Sequence, residues 1–222
     1  MTLPRVFVGV PAYRGMELPT AQSLLALTWA LDGQKRLEGR FEFVGVNLAE
    51  GYGCSRNSED AATAAVAAGA DVLLHVDADM AFTPADVLRL LETWDLLGRD
   101  LVVGAMYPSS RGGPLVGRLV GVERVDASGT ASPHGVYTAR RSVAGLDGIA
   151  LEATLLGFGF VAIPVPYILA LVHDRGYAFE ECGLGRHVDG VDSKFCAEAE
   201  ARGWRLVADL RCKVKHLQRT WE

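Results

Sequence analysis

Four β-forming runs, separated by three stretches of helical periodicity, fill residues 1–106. RVFVGV leads to LPTAQSLLALTWAL, whose Leu24, Leu27 and Leu31 fall on one helical face. FEFVGVNL leads to the alanine-rich SEDAATAAVAAG, with Ser55 or Ser58 as its cap and Gly69 as its stop. DVLLHV leads to TPADVLRLLETWDLLG, with Thr83 as N-cap and Pro84 in the first turn, and DLVVGAM closes the series. This alternation predicts an α/β fold: a mostly parallel central sheet with helices on both faces. Ligands of such sheets bind beyond the carboxyl ends of the strands. Pro11-Ala12-Tyr13, the loop NLAEGYGCSRN, and Asp77 and Asp79 are all expected at that edge.

Beyond residue 106 the pattern loosens. PLVGRLVGVERVDASGT reads as a strand and hairpin turn, and GVYTARRSVAGLDG as irregular β or loop. LLGFGFVAIP reads as one buried strand, PYILALVHDRG as a helix with Pro166 near its start, GVDSKFCAEAEARGW as a helix ended by Gly203, and RLVADLRCKVKHL as a final strand pair. No repeat or flexible linker interrupts the chain, so one domain over residues 1–222 is expected, in two intimately packed halves, 1–106 and 107–222.

Composition narrows the function classes. Half of the 222 residues are hydrophobic and 22% are charged, which predicts a sizeable core. A net charge of −5 argues against a broad nucleic-acid surface. The N-terminal MTLPRVFVGVPAY lacks the apolar segment and cleavage site of a secretory signal. The segment ATLLGFGFVAIPVPYILALV is broken by two glycines and two prolines, so no transmembrane span is expected. A cytoplasmic location follows as the expectation, with peripheral membrane contact left open. Cys54, Cys182, Cys196 and Cys212 form no CxxC pair and read as reduced thiols.

The chemistry centres on DVLLHVDADMAF, where an apolar strand runs into Asp77 and Asp79. Two ionised carboxylates so close need a cation between them or a shared proton. With 14 aspartates in the chain, chance alone supplies roughly one D-x-D, so its placement between a strand and a proline-initiated helix carries the weight. The bland alternative has Asp79 capping that helix while Asp77 is merely solvated. The chemical alternative is Mg²⁺ or Mn²⁺, hard cations that clamp a diphosphate.

VFVGVPAY, CSRNSEDAATAAVAAGADVLLHVDADMAFTP, LLGFGFVAIP and GVDSKFCAEAEARGWRLVADLRCKVKHL occur in the order found in family 2-like glycosyltransferases of the GT-A fold, which the chain resembles over nearly its whole length. Residues 107–150 are the least covered. The resemblance implies a Rossmann-like central sheet with a smaller antiparallel acceptor-side portion. It also implies transfer of a sugar from a nucleoside diphosphate to an acceptor hydroxyl, with a divalent cation held by the D-x-D. Residues 1–106 become the nucleotide-binding half and 107–222 the acceptor-binding half. Pro11 and Tyr13 would line the nucleotide pocket, and Arg56 and Asn57 would face the nucleotide-sugar. Asp77 would approach the ribose and the metal, Asp79 the metal directly, and Gly157 and Gly159 would let the backbone pass close to the donor sugar. For the base-reading acid, Asn47 and Glu50 both stand as candidates. Asp192 falls where inverting members carry the acid that deprotonates the acceptor, with Asp189 as its alternative. The acid usual before it is replaced by Val191. His216 matches a third metal ligand of some relatives, or is a satisfied histidine of the fold. His75, inside a strand, reads as structural. The acceptor stays open among glycan, lipid, protein and modified nucleobase.

GFGFVA formally fits G-x-G-x-x-A, but β-formers and Pro164 follow instead of a helix, which excludes a dinucleotide site. Two rival functions remain. A Mg²⁺-dependent phosphohydrolase also places D-x-D at a strand end, but on its first strand rather than its third. A nucleotide-sugar binder without turnover is motivated by Val191.

Overall fold

Neighbouring residues of the central strands pack into two different apolar layers. Val6, Val8, Val72, Leu74, Leu101 and Val103 join one buried cluster. Phe7, Leu73 and Val102 join the other. Side chains alternate across a strand, so a sheet covered on both faces requires this pattern. The computed structural model describes residues 2–13, 15–51, 53–107, 116–117, 141–143, 146, 149–179 and 191–217.

The strands are β1 (Arg5–Ala12), β2 (Arg36–Leu37), β3 (Phe41–Glu50), β4 (Val72–Val76), β5 (Met80–Ala81), β6 (Leu101–Ala105), β7 (Val116–Gly117), β8 (Arg141–Ser142), β9 (Ala150–Ala153), β10 (Leu155–Leu156), β11 (Phe160–Pro164), β12 (Arg205–Asp209) and β13 (Lys215–His216). The helices are α1 (Leu18–Ala30), α2 (Cys54–Ala67), α3 (Pro84–Leu96), α4 (Val165–Arg175) and α5 (Val191–Ala201). Nine strands form one sheet in the order β2-β3-β1-β4-β11-β6-β12-β9-β8. Strands β1, β3, β4, β6, β8 and β12 run one way, and β2, β9 and β11 the other. The mostly parallel α/β sheet is therefore present, with β11 antiparallel between β4 and β6, β9 antiparallel between β12 and β8, and β2 antiparallel at the edge beside β3. Leu27 and the buried face of α3 pack on the first layer. The second layer holds Ala62 and Ala65 of α2, Ile168 of α4 and Phe195 of α5.

Several local expectations are corrected. Gly53 caps α2 without a side-chain hydrogen bond, and Ser55 and Ser58 lie buried inside the helix. LLGFGFVAIP is not one strand but β10 and β11 separated by the turn at Phe158-Gly159. The last two strands do not pair with each other: β12 joins the main sheet and β13 pairs with β5. The hairpin expected after residue 114 and the irregular stretch 135–148 lie mostly outside the described residues, as do Asp189 and Cys182. Thr83 caps α3 as expected, in a reciprocal box with Asp86. Among the described residues no helix is long and apolar enough to cross a membrane.

Candidate functional site

Strands β1, β3, β4 and β6 run the same way, so Tyr13, Glu50, Asp77 and Tyr107 come off the same edge of the sheet. The chain leaves β1 for its neighbour β3 on one side, then returns through α2 to β4 on the other. The carboxyl ends of β1 and β4 thus flank a topological switch point, where open α/β sheets form a crevice.

Backbone hydrogen bonds hold the turn between β4 and β5 from three directions. The Asp77 N–H donates to the Gly159 carbonyl at 2.9 Å, and the Leu217 N–H donates to the Asp79 carbonyl at 2.8 Å. The Ala78 carbonyl accepts from the Glu17 N–H at 2.8 Å and from the Thr20 hydroxyl at 2.9 Å. A turn with its peptide groups satisfied this way keeps its side chains aimed without their help. Thr83, not Asp79, caps the next helix, so the bland reading of Asp79 as a cap is removed.

The carboxylates stay partly open to solvent, with 42% of the Asp77 side chain and 32% of Asp79 exposed. The Nε2 of His216 lies 3.2 Å from Oδ2 of Asp79. Asp192, in the first turn of α5, accepts from the Ser193 N–H at 2.8 Å. Its own carboxyl is raised mainly by burial, against the pull of hydrogen bonds from Ser193. The Asp77 carboxyl is pushed up to about 7, first by desolvation and then by the charges of Asp79 and Asp192, with His216 opposing. Asp77, Asp79, His216 and Asp192 therefore share one electrostatic neighbourhood. Among the described residues, however, no three His, Cys, Asp or Glu side chains are arranged as a metal cage.

Beneath the acids lies His75, 2% exposed. Its Nδ1 is 2.8 Å from the Phe158 carbonyl, which can only accept, so Nδ1 carries the proton and Nε2 accepts from the Ser58 hydroxyl at 3.0 Å. Burial lowers its pKa to about 4, so the 3.9 Å approach of its Nδ1 to Asp77 is not an ion pair.

The remaining expected residues occupy the nucleotide side. Pro11 is buried at the end of β1, while Tyr13 is 55% exposed just beyond it. Glu50 is exposed at the end of β3. Arg56 reaches solvent from the first turn of α2 and pairs with Asp60 at 3.4 Å. Asn57 is buried, and its amide donates to the Ala12 carbonyl at 3.2 Å, tying α2 to β1. Gly157 and Gly159 are buried beside β4. A Cβ at Gly159 would lie 2.6 Å from the Tyr107 hydroxyl oxygen and 3.0 Å from Met80 Sδ. Packing against Tyr107 alone is therefore enough to require glycine there.

Tyr107 was not among the individual site residues expected from the sequence. It is 3% exposed, accepts from the Gly159 N–H at 2.6 Å and meets the His216 ring edge-on, with centroids 5.8 Å apart. Burial raises its hydroxyl pKa well above the ordinary value, with Asp77, Asp192 and Asp79 adding to the effect. Its signal in the sequence was an aromatic polar residue two positions past a strand, on the ligand-binding edge.

Sheet order and helix placement define an α/β protein with a GT-A-like fold. Protein A197 from STIV superposes with a TM-score of 0.59 at 16% identity, over 98% of this chain and 87% of that one. GalNAc-T7, solved with UDP, GalNAc and Mn²⁺, superposes with a TM-score of 0.57 at 14% identity, over 98% of this chain. The chain spans 44% of that GalNAc-T7 chain, less than half its length. No protein-family model and no curated protein matches the sequence.

Proposed function

We propose that the protein is a metal-dependent glycosyltransferase, family 2-like in type, that takes its sugar from a nucleoside diphosphate. The observation that carries this reading is the crowding of Asp77, Asp79 and Asp192 at the switch point, where desolvation first, and the charges of Asp79 and Asp192 after it, push the Asp77 carboxyl up to about 7. A bound dication would relieve that repulsion. Two carboxylates and an imidazole suit Mn²⁺, and carboxylates alone suit Mg²⁺. Asp77, Asp79 and His216 would hold the ion once Asp79 and His216 part, and the ion would neutralise charge on the diphosphate leaving group. The solved likeness with UDP, GalNAc and Mn²⁺ supports the same donor class.

Residues 1–106 act as the nucleotide half in this reading. Pro11 and Tyr13 border the base and ribose, Glu50 is placed to accept from the base, and Arg56 faces the diphosphate oxygens. Asn57 keeps that edge in place through Ala12. Gly157 and Gly159 form the floor beneath the sugar. In the acceptor half, residues 107–222, Asp192 accepts the acceptor hydroxyl proton as its oxygen bonds to the anomeric carbon and the bond to diphosphate breaks. A carboxyl raised by burial is a better base than an exposed one.

Donor hydrolysis or transfer with a panel of nucleoside-diphosphate sugars and Mn²⁺ tests the reading. Asp192→Asn should slow transfer at least about a hundredfold while leaving donor binding intact, and a fully active variant removes its role. A second reading, a nucleotide-sugar binder without turnover, is favoured by Val191 at the usual acid. Binding with no turnover on any acceptor would select it.

A further inference from the structure

Tyr107 lies at a junction that none of the assigned roles uses. It follows β6, yet its hydrogen bond and its ring contact are with other parts of the fold: the N–H of Gly159, just before β11, and the ring of His216 in β13. Gly159 in turn accepts from the Asp77 N–H, and His216 contacts the Asp79 carboxylate. Each residue of the D-x-D is thus one contact removed from the same phenol, the Asp77 backbone through the two peptide groups of Gly159 and the Asp79 carboxylate through an imidazole. The oxygen of Tyr107 accepts from the Gly159 N–H at 2.6 Å.

We infer that Tyr107 is the positioning residue of the acidic site, fixing the His216 ring and the Gly159 backbone together and so setting the spacing between Asp79 and Asp77. This role rests on the cation-binding reading proposed above. It predicts how the cation is held, since partners that orient first-coordination ligands typically govern about ten- to a hundredfold of metal affinity. The inference is also geometric, because the contacts exist without the ion. A phenylalanine keeps the ring but removes the oxygen that receives Gly159. An alanine at Gly159 presses the same contact from the other side, its methyl 2.6 Å from that oxygen.

The test uses the full chain with ¹³C-labelled histidine and two readouts. In metal-free protein, Tyr107→Phe and Gly159→Ala should each move the His216 ring resonance while leaving that of the distant, exposed His173 in place. An unmoved His216 signal in folded samples of both variants overturns the inference, whether or not the protein binds metal. In Mn²⁺ titrations, Tyr107→Phe should weaken binding about tenfold, and the loss should not multiply fully with that of His216→Ala, because part of the Tyr107 effect passes through that imidazole. Fully multiplicative losses would overturn it. Wild-type protein that binds no Mn²⁺, with the His216 resonance still shifted by Tyr107→Phe, would sink the transferase reading and leave the positioning geometry standing.

Discussion

Nε2 of His216 and Oδ2 of Asp79 lie 3.2 Å apart, brought together from different halves of the chain by the two-residue pairing of β13 with β5. What holds β13 there is a polar clamp on α3. The Asp209 carboxylate, fully buried, accepts from Thr93 at 2.6 Å and from Arg211, whose guanidinium also donates to the Arg89 carbonyl. Asp86 then accepts from the Lys213 N–H at 2.9 Å.

Asp86 should therefore be a stability hinge for the site. Asp86→Ala removes half of the capping box and leaves a backbone donor unpaired, a loss of about 2–3 kcal/mol. Burial alone would raise this carboxyl, but Lys213, Thr83 and Arg89 together hold it below the ordinary value. Its contribution is present above the unfolded carboxylate value and fades as pH falls through the depressed folded one. The gap between wild type and variant in urea melts should narrow as pH drops below about 4.

His75 should behave with the same sign in a different window. Its pKa is lowered from 6.5 to about 4, so the folded protein keeps it neutral while the unfolded chain takes up a proton. Stability is full above pH 6.5 and falls by up to roughly 3 kcal/mol toward pH 4. His75→Asn should flatten that slope, measured by chemical denaturation between pH 4 and 7. It should also cost stability at pH 7, since Ser58 and the Phe158 carbonyl lose a matched partner.

Asp77 should show the opposite sign. Its folded pKa, about 7 against an ordinary 3.8, means that the folded state retains a proton the unfolded chain has released. Without divalent cation, stability then declines as pH rises from about 4 to 7 and levels off above. With 42% of the side chain exposed, screening reduces the effect to about 1 kcal/mol, or roughly 2–4 °C. Thermal melts in chelator should show Asp77→Asn gaining on wild type across that range, and Mn²⁺ restoring wild type alone.

These contacts mark what the sequence could and could not show. The sheet was legible because RVFVGV, DVLLHV and DLVVGAM each supply apolar residues to both faces, and Thr83-Pro84 announces its helix without tertiary help. The antiparallel insertion of β11 between β4 and β6 has no local signature, since a strand buried on both faces reads alike in either direction. The break in LLGFGFVAIP was hidden for a related reason: Gly159 is demanded by Tyr107, 52 positions away, and not by a turn preference of its own. Asp77 and Asp79 were visible as a pair, whereas the approach of His216 depends on the Asp86–Lys213 clamp, which only the folded chain assembles.

Calorimetric titration of nucleoside diphosphates into the protein, with Mn²⁺ and then with chelator, tests the central claim most directly. The account predicts binding that requires the cation and disappears in Asp79→Ala while that variant stays folded. Equal binding in chelator, or an Asp79→Ala titration that matches wild type, would contradict it.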